Sequence, residues 1–354
     1  MDAELNRLSE KVREASRSKA GLRLRGGGTK DFYGQALEGE VLDTRGYSGI
    51  VSYEPSELVI TARCGTRLSE VEAAMRGRGQ MLAFEPPHFG EAATVGGAVA
   101  AGLSGPGRQA AGALRDFMLG AKIMDGRGEV LTFGGQVMKN VAGYDVSRLM
   151  AGSLGTLGII LEVSLKAMPF PVAEATLRLE LPEDRAIDQV NRWAGKPVPL
   201  SASAWNDGTL SMRLSGARAA VEEAAKKIGG ERVEEEKARR FWNGIREQTD
   251  RFFPDDAPLW RLSLPSTTPP LKLQGTQLIE WGGALRWLHS HADARTVREA
   301  AKRAGGHATL FRGGDKAAGV FQPLAPALMR IHTQLKREFD PHGILNRGRM
   351  YADF

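Results

Sequence analysis

The sequence has only one cysteine, Cys64, among its 354 residues. A single thiol cannot form a disulfide within the chain, and it cannot supply the set of cysteine ligands that an iron–sulfur cluster or a structural zinc ion needs. A disulfide-stabilised scaffold and an internal iron–sulfur relay are therefore excluded. The shortage of cysteine is simplest to explain if the protein works in a reducing compartment.

Long apolar runs and blocks of one charge are also missing. No apolar stretch approaches the roughly 20 residues of a membrane-spanning helix, and residues 1–20 lack the apolar core of an export signal. The apolar residues there follow helical spacing instead, which predicts an amphipathic N-terminal helix. They are Leu5, Leu8, Val12 and Ala15. The 48 Lys and Arg exceed the 42 Asp and Glu, but the two signs are interleaved. This pattern leaves a small anionic ligand or an acidic protein partner open and disfavours nucleic acid.

Glycine, by contrast, is abundant, with 43 residues that concentrate between positions 21 and 160. They make up about 12% of the chain, against about 7% in an average protein. Many backbone positions therefore need a positive φ or close approach to another group. The segment 84–108 is almost free of large side chains and cannot stabilise itself by burial, so something else must order it. The length of the chain fits about two domains.

The first half of the chain alternates short β-rich pieces with glycine-rich turns. A helix is predicted from Thr66 to Arg78, with Thr66 as its N-cap and Gly77 and Gly79 ending it. The stretches DFMLGAKIM and EVLTF alternate apolar and polar residues around positions 125–128, which predicts a β-hairpin. No strand runs directly into a GxGxxG turn and helix, so this half is not a standard Rossmann unit.

The pattern changes after Pro169 and Pro171, which mark a boundary. Helices are predicted at about 183–195, 217–229, 232–252, 293–304 and 324–339. The first two alternate with strand patterns in the order β-α-β-β-α. This order is typical of a ferredoxin-like layer.

The loop RGGGTK (25–30) has the composition of a phosphate site. Consecutive glycines let backbone N–H groups point into one concavity. Thr29 can add a hydroxyl, and Arg25 or Lys30 can add a positive charge. Taken alone, the segment is equally consistent with a plain turn.

Two more glycine-rich segments follow in the same half. TVGGAVAAG (94–102) is typical of the start of a small-residue helix, whose free N–H groups favour an anion; a close-packed helix crossing is the alternative. GSLGTLGII (152–160) precedes an apolar strand and would let a flat group lie against bare backbone. Three such loops around one hairpin favour a shared ligand site.

These motifs, taken in order, resemble a known family. They are RGGGTK, PPHFGEAATVGGAVAAG, DFMLGAKIMDGRGEVL, MKNVAGYDVSRLMAGSLGTLGIILEVSLKAMP and FDPHGILNRGRM. Together they are similar to the PCMH-type FAD-binding domain of the vanillyl-alcohol oxidase superfamily. Within it they resemble the glycolate oxidase and D-lactate dehydrogenase group, and in particular the FAD-binding subunits of glycolate oxidases. The resemblance is strong over residues 20–170 and moderate elsewhere.

The resemblance implies an α+β protein. A PCMH-type two-subdomain FAD-binding fold would occupy residues 1–170, and a ferredoxin-like α+β cap domain, which binds substrate or a partner, would occupy residues 171–320. Residues 321–354 would form a C-terminal helix and tail that return to the FAD domain.

The resemblance also implies cofactor contacts. It places the FAD pyrophosphate on Arg25, Gly26, Gly27, Gly28, Thr29 and Lys30. It places Pro87, Thr94, Val95, Gly96, Gly97 and Ala98 along the pyrophosphate and the flavin. It places Gly102, Gly105 and Arg108 near the isoalloxazine ring. It places Gly152, Ser153, Gly155, Thr156, Gly158, Ile159 and Ile160 on the adenine side or under the ring. Some relatives attach the flavin covalently to a histidine in the first loop; this chain has Thr29 and Lys30 there, so we expect non-covalent FAD.

A substrate site is not evident in the sequence. Oxidation of a 2-hydroxy acid needs a cation for the carboxylate and a base for the hydroxyl proton. Full-length relatives carry a motif resembling H-x-G-D-G-N, which this chain lacks. The catalytic residues are therefore unknown, and the candidates are His88, Arg108 and Arg312. His289 and His291 could reach one metal ion, but exposed histidines are the alternative and no metal site is predicted. The tail 346–349 (NRGR) departs from the N-P-G-K/R of relatives.

The resemblance predicts a subunit of a glycolate oxidase complex. It implies oxidation of glycolate, or a similar 2-hydroxy acid, to glyoxylate or the matching 2-oxo acid, with electrons passing from FAD to an iron–sulfur partner. The chain would need an iron–sulfur subunit and a larger flavin subunit that carries the missing motif. Three alternatives stay open: a stand-alone FAD-dependent 2-hydroxy-acid or sugar-alcohol dehydrogenase, an assembly module without flavin, and a cell-wall precursor reductase. We expect a cytoplasmic protein, with or without peripheral attachment to a membrane through the complex.

Overall fold

The computed structural model describes residues 3–36, 38–135, 145–254 and 256–352. Its helices are α1 (Ala3–Ser18), α2 (Leu68–Arg76), α3 (Val95–Ala101), α4 (Arg108–Ala111), α5 (Val146–Leu149), α6 (Glu183–Ala194), α7 (Arg218–Ile228), α8 (Glu235–Glu247), α9 (Ala294–Arg303) and α10 (Pro326–Phe339). Its strands are β1 (Leu22–Arg25), β2 (Glu40–Asp43), β3 (Ile50–Glu54), β4 (Val59–Arg63), β5 (Gln80–Met81), β6 (Met118–Met124), β7 (Val130–Gly134), β8 (Ile159–Lys166), β9 (Met168–Pro169), β10 (Ala173–Glu180), β11 (Leu200–Asn206), β12 (Thr209–Gly216), β13 (Glu231–Val233), β14 (Leu259–Ser263), β15 (Thr276–Glu280), β16 (Leu285–His289) and β17 (His307–Arg312). Among the helices of the described residues, none is long and apolar enough to cross a membrane.

The chain folds into two compact units. The first contains Met1–Leu103, Ala113–Pro169 and Pro323–Phe354, and the second contains Ser104–Gly112 and Phe170–Gln322. Each unit has its own sheets and its own apolar core. The first unit therefore draws residues from both ends of the chain.

A five-stranded antiparallel sheet, in the order β3-β4-β8-β6-β7, lies at the centre of the first unit. β8 is the middle strand, and most of its residues are buried, as its apolar sequence IILEVSLK predicts. β6 and β7 pair across the turn at 125–128, where the Asp125 carboxylate accepts the backbone N–H groups of Arg127 and Glu129. The predicted hairpin is confirmed.

The helices of the first unit confirm one prediction and correct another. α1 is amphipathic and buries the apolar face that its spacing predicts. α2 begins at Leu68 rather than at Thr66, and it ends at Arg76. The Thr66 hydroxyl accepts the backbone N–H of Gly49 at 2.9 Å and donates to its carbonyl at 3.1 Å. Thr66 does not cap the helix because this tertiary contact uses its side chain.

An eight-stranded sheet, in the order β13-β10-β12-β11-β15-β16-β14-β17, spans the second unit. Its first four strands pair antiparallel in the order of a ferredoxin-like layer, and α6 and α7 bury one face of it. The predicted β-α-β-β-α order is confirmed. The remaining strands extend the same sheet because β11 pairs with β15, with Trp205 opposite Ile279. No local pattern in the sequence predicts this pairing between distant strands.

Candidate cofactor site

A groove with about 800 Å³ of space, counted with its open mouth, lies within the first unit. Most of its lining comes from the first glycine loop, helix α3, the loop before β8 and the C-terminal tail. The lining residues are Leu24, Arg25, Gly26, Gly27, Gly28, Thr29, Lys30, Asp31, Thr44, Cys64, Thr94, Gly96, Gly97, Ala100, Ala101, Leu154, Gly155, Gly158, Ile159, Ile160, Asn346 and Arg349. The three glycine-rich segments that the sequence analysis singled out therefore meet at one groove.

An ion pair fixes the first glycine loop. The loop leaves β1 at Arg25 and turns back through Gly28, whose φ of +73° favours glycine. The Asp31 carboxylate accepts hydrogen bonds from Arg23 Nη2 at 3.0 Å and from Arg25 Nε at 2.8 Å. The charge of Arg25, which the sequence assigned to a phosphate, is therefore shared with Asp31.

The same loop presents backbone donors that the protein does not use. Among the described residues, no acceptor receives the backbone N–H groups of Gly26, Gly27, Gly28 or Thr29. A run of free N–H groups beside cations is an arrangement that binds phosphate oxygens. Gly27 also leaves no room for a side chain, because a Cβ there would lie 1.6 Å from Ala92 O. This part of the groove therefore fits the diphosphate of a dinucleotide.

The start of α3 differs from the sequence-based expectation of free N–H groups. Its first three N–H groups all have protein acceptors. These are Thr66 O for Val95, Cys64 O for Gly96 and Thr94 Oγ1 for Gly97. The prediction that this helix start offers free donors to an anion is therefore wrong. Gly96 is required by close packing, since a Cβ there would lie 2.6 Å from the Cβ of Cys64.

Thr29 and Lys30 hold the glycine loop against the segment around His88. Thr29 Oγ1 donates to His88 O at 2.7 Å, and Lys30 Nζ donates to the same oxygen at 3.1 Å. Lys30 Nζ also lies 5.4 Å from the ring centre of Phe89. Glu85 and Phe89, on either side of His88, have φ values of +50° and +54°. Such strain in non-glycine residues persists only where the surroundings enforce it, so this segment is held firmly by the loop.

The loop before β8 contributes the apolar part of the groove. Leu154 N donates to Ala100 O at 2.8 Å, which docks the loop on α3. Leu154 takes a φ of +52°, and it lines the groove together with Ile159 and Ile160. All three side chains are nearly buried within the protein. Such a surface suits a flat apolar ring and excludes water from it.

The C-terminal tail completes the groove. Asn346 Nδ2 donates to Leu154 O at 2.6 Å, and Asn346 Oδ1 accepts the N–H of Leu24 at 2.7 Å. Arg349 donates to the backbone oxygens of Gln35 at 2.6 Å and of Asp31 at 3.0 Å. Both tail residues line the groove.

The structure places the predicted cofactor residues in three groups. Those that line the groove are Arg25, Gly26, Gly27, Gly28, Thr29, Lys30, Thr94, Gly96, Gly97, Gly155, Gly158, Ile159 and Ile160. Those of the first unit that do not line it are Pro87, Val95, Ala98, Gly102, Gly152, Ser153 and Thr156. Gly105 and Arg108 belong to the second unit, where Trp281 Nε1 donates to Gly105 O at 3.1 Å. The predicted helix start at Gly143 and Tyr144 lies outside the described residues. Contact of each residue with FAD stays a prediction.

Nine lining residues are not among the individually predicted cofactor residues. They are Leu24, Asp31, Thr44, Cys64, Ala100, Ala101, Leu154, Asn346 and Arg349. Ala100 and Ala101 continue the small-residue helix and could have been included on that ground. Cys64 lies at the end of a buried strand, and burial raises the pKa of its thiol to about 12. It therefore lines the groove as a neutral thiol.

Of the three histidines considered, His88 has a protein partner, His289 is buried and His291 is exposed. His88 Nε2 lies 3.1 Å from Glu72 Oε2, and both side chains are largely shielded from solvent. His289 is buried, so the alternative that it is an exposed surface histidine is wrong. Its Nδ1 lies 3.4 Å from Ala257 O, and burial lowers its pKa. His291 is exposed. Neither His88 nor His289 lines the groove.

The two arginine candidates belong to the second unit. The Arg108 guanidinium lies 4.2 Å from the ring centre of Trp281, in a cation–π contact. Arg312 donates to Gln248 Oε1 at 2.7 Å. Roles for Arg108, Arg312 and His88 in catalysis stay predictions.

The fold and the groove define an FAD-binding protein. Residues 3–134 match the family model described as "FAD binding domain", which confirms FAD as the predicted cofactor. Along nearly its whole length the chain is similar to "Glycolate oxidase subunit GlcE" of Escherichia coli K12. The two are 49% identical over 346 residues, which cover 98% of this chain and 97% of that protein. The chain belongs to this GlcE family, as the resemblance predicts.

More distant relatives share part of the chain. "Glycolate oxidase subunit GlcD" of Bacillus subtilis is 29% identical over 54% of this chain and 41% of its own length. A D-lactate dehydrogenase of Archaeoglobus fulgidus is 31% identical over 50% of this chain and 40% of its own length. Two crystal forms of alkyldihydroxyacetonephosphate synthase have TM-scores of 0.65 and 0.66 at 15% identity, over 96% of this chain and 74% and 75% of theirs. These structures confirm the predicted α+β fold class.

Proposed function

We propose that this chain is the FAD-binding subunit of a glycolate oxidase complex. The complex oxidises glycolate, or a similar 2-hydroxy acid, to glyoxylate or the matching 2-oxo acid. The observation that carries this proposal is the 49% identity to GlcE over nearly the full length of both chains. The groove supports it, because free N–H groups, cations and an apolar wall suit a cofactor with a diphosphate and a flat ring.

The reaction removes the hydrogen on the α-carbon and the hydroxyl proton of the acid, which together amount to two electrons and two protons. Bound FAD supplies the acceptor for the two electrons. The contribution of the groove residues is binding. The N–H groups of Gly26–Thr29 would donate to phosphate oxygens, and the ammonium group of Lys30 would add positive charge beside them. The apolar side chains of Leu154 and Ile159 exclude water from the ring.

Partner subunits belong to the same proposal. The full sequence contains one cysteine, which is too few to ligate an iron–sulfur cluster. An iron–sulfur relay would therefore have to lie on another chain, and we assign this role to a subunit resembling GlcF. A larger flavin subunit resembling GlcD would carry the substrate motif H-x-G-D-G-N that this sequence lacks. We place the complex in the cytoplasm, with any attachment to a membrane made through a partner.

Non-covalent attachment of FAD is part of this proposal, and the residues that line the groove support it. The first glycine loop has Thr29 and Lys30 in place of a histidine, and burial keeps Cys64, with its pKa of about 12, in the poorly nucleophilic thiol form. Acid precipitation should therefore release all flavin into the supernatant. Flavin that stays with the precipitated protein would contradict this assignment.

The deciding experiment compares the purified chain alone with the chain co-expressed with its two partners. The chain alone should be yellow, and anaerobic glycolate should not bleach its flavin. Bleaching should appear when the partners are present. Full turnover by the chain alone would favour a stand-alone dehydrogenase instead. A colourless chain whose Tm does not rise with added FAD would favour an assembly module without flavin.

A further inference from the structure

Arg349 is a buried cation without a carboxylate partner in the described part of the chain. The residue is 6% exposed, and its guanidinium donates to backbone oxygens, those of Gln35 and Asp31 among them. The Asp31 carboxylate attracts it electrostatically, but that carboxylate is held by Arg23 and Arg25 at 3.0 and 2.8 Å. Burying a charge without a counter-charge is costly, and burial lowers the pKa of Arg349 to about 10.

The position of Arg349 suggests what could balance this charge. Arg349 lines the same groove as the unused N–H groups of Gly26–Thr29. Arg25 lines it too, but its side chain is 47% exposed and paired with Asp31. Arg349 is thus a buried positive charge in a groove that already offers donors to an anion. A diphosphate would satisfy both at once.

Asn346, in the same tail, joins two walls of the groove. Its side chain bonds Leu154 on one wall and the backbone of Leu24, at the end of β1, on the other. Asn346 has a φ of +43°, a conformation that costs energy and that Asn tolerates better than most residues. A Cβ at Gly155 would lie 2.7 Å from Asn346 Nδ2, so loop and tail are in close contact.

We propose that two residues of the C-terminal tail, Asn346 and Arg349, are part of the FAD site. Arg349 supplies the buried positive charge that balances the diphosphate, and Asn346 is a positioning residue that fixes the two walls. The inference rests on the proposed cofactor site and assigns to it residues that lie almost 200 positions from its nearest glycine loop.

The test replaces the charge and compares ligands with and without phosphate. Apo-protein carrying Arg349→Met is titrated with FAD, with ADP and with riboflavin, and the dissociation constants are compared with those of the wild-type chain. The Kd for FAD and for ADP should rise about tenfold or more, the loss expected for a charge-assisted hydrogen bond. The Kd for riboflavin, which has no phosphate, should change less than twofold. The rise of the ADP Kd with salt should also be shallower in the variant.

Two further variants separate charge from fold. Arg347→Met is the matched control, since Arg347 is exposed and donates to Gly343 O and Lys19 O, outside the groove. It should leave all three constants unchanged. Arg349→Lys keeps the charge and should recover part of the ADP affinity. If Arg349→Met does not fold, Arg349→Lys decides: it must weaken ADP more than riboflavin, because it retains the charge with fewer donors.

Asn346→Ala tests the positioning role. It removes both bonds between the walls and should weaken FAD, ADP and riboflavin alike, by about fivefold or more for the loss of two buried hydrogen bonds. Unchanged constants would overturn the positioning role.

The outcomes that overturn the charge role are equally specific. If Arg349→Met weakens ADP and riboflavin equally, Arg349 only braces the loop. If it weakens neither, Arg349 does not belong to the site. In both cases a wild-type chain that binds FAD would leave the proposed cofactor site standing. A wild-type chain that binds no FAD would instead refute the cofactor site itself.

Discussion

Gly97 lines the groove, but its contacts within the described protein hardly require a glycine at this position. A Cβ there would meet only Thr94 Oγ1, at 3.2 Å, and the residue lies in a helix at an ordinary φ. Gly27 and Gly96 differ, because a Cβ at either would collide with protein atoms. A ligand is therefore the simplest reason for glycine at position 97.

The corresponding prediction concerns Gly97→Ala. The apo-protein should keep its Tm, because Ala favours the helix by about 0.5–1 kcal/mol and the contact with Thr94 is only slightly tight. FAD binding should weaken about tenfold, since overfilling a packed site costs about 1–3 kcal/mol. Titration of apo-protein with FAD measures this effect. Gly77→Ala is the control: its Cβ would have ordinary contacts at 3.5 Å or more, away from the groove. Equal FAD affinity in both variants would contradict the prediction.

Glu162 carries a negative charge on the central strand β8. Its carboxylate accepts hydrogen bonds from Tyr47 Oη at 2.7 Å and from Lys122 Nζ at 2.8 Å. Burial alone would raise the pKa of Glu162, but the bonds from Lys122 and Tyr47 bring it below its ordinary value. A lowered folded-state pKa means that the charged form contributes stability above the unfolded-state pKa of about 4.3. This contribution disappears as the pH falls through the folded-state value.

We therefore predict a pH-dependent cost for Glu162→Gln. The free energy of unfolding should fall by about 1–2 kcal/mol at pH 7, the usual worth of a charged hydrogen-bond network. The difference in the free energy of unfolding between variant and wild type should disappear as the pH falls below about 4, because the wild-type carboxylate is then protonated. Urea unfolding at a series of pH values measures it. Glu129→Gln, an exposed acid on the neighbouring hairpin, should have little effect at any pH. A gap that stays constant down to pH 3 would refute the mechanism.

At the same scale, residue types were easier to predict than residue roles. The glycine loop 25–30 and the small residues 94–102 could be recognised because Gly and Ala restrict what a backbone can do. Thr29 and Lys30 also hold the carbonyl of His88, and the N–H groups at the start of α3 have acceptors at positions 64, 66 and 94. No local pattern reveals such partners, since they come from other parts of the sequence.

At the scale of elements, α10 has a lysine as its buried residue. Lys336 is the buried residue of this helix, and its Nζ donates to Thr156 O, Leu345 O and Asp340 Oδ2 at 2.7–2.8 Å. Burial lowers the pKa of Lys336, and Asp340 opposes this effect. The helix therefore joins the loop before β8 to the C-terminal tail.

Lys336→Met should destabilise the first unit by about 3–5 kcal/mol, because it leaves the buried Asp340 carboxylate without its cation. Arg337→Met, one position further and exposed, should change stability by less than about 0.5 kcal/mol. Urea unfolding followed by far-UV circular dichroism measures both. Adding Asp340→Asn to Lys336→Met should recover part of the loss, since no charge then remains. The Asp340 carboxylate also accepts the backbone N–H groups of Ile344 and Leu345. A loss below about 1 kcal/mol for Lys336→Met would show that these two donors suffice to stabilise the buried carboxylate.

Elements with a clear local period were predicted well, and pairings between them were not. The predicted helix 183–195 is observed as Glu183–Ala194, and the predicted helix 217–229 as Arg218–Ile228. Their amphipathic spacing is contained within a few turns of sequence. The second half of the eight-stranded sheet joins the first through the pairing of β11 with β15, where Trp205 lies opposite Ile279. Such distant pairings leave no local pattern in the sequence. The prediction that Thr66 caps α2 failed for the same reason, because its hydroxyl bonds the distant Gly49.

At the scale of the whole molecule, the aromatic residues divide between the two units. All six tryptophans belong to the second unit, and the tyrosines of the described residues belong to the first. All residues that line the groove also belong to the first unit. Tryptophan and tyrosine signals therefore report on different parts of the chain, and the residues that line the groove belong to the part on which tyrosine reports.

This division gives the last prediction. A ligand that binds only the folded state adds about 2.7 kcal/mol of stability at a concentration 100-fold above its Kd. FAD at that concentration should raise the unfolding midpoint reported by tyrosine, in second-derivative absorbance, by several degrees. It should raise the midpoint reported by tryptophan fluorescence by less, because the second unit contributes no residue to the groove. Arg349→Met, compared at the same FAD concentration, should reduce the tyrosine shift and leave the tryptophan midpoint nearly unchanged. Equal shifts in the wild-type chain would instead mean that the two units unfold as one cooperative body, so that binding to the first stabilises both.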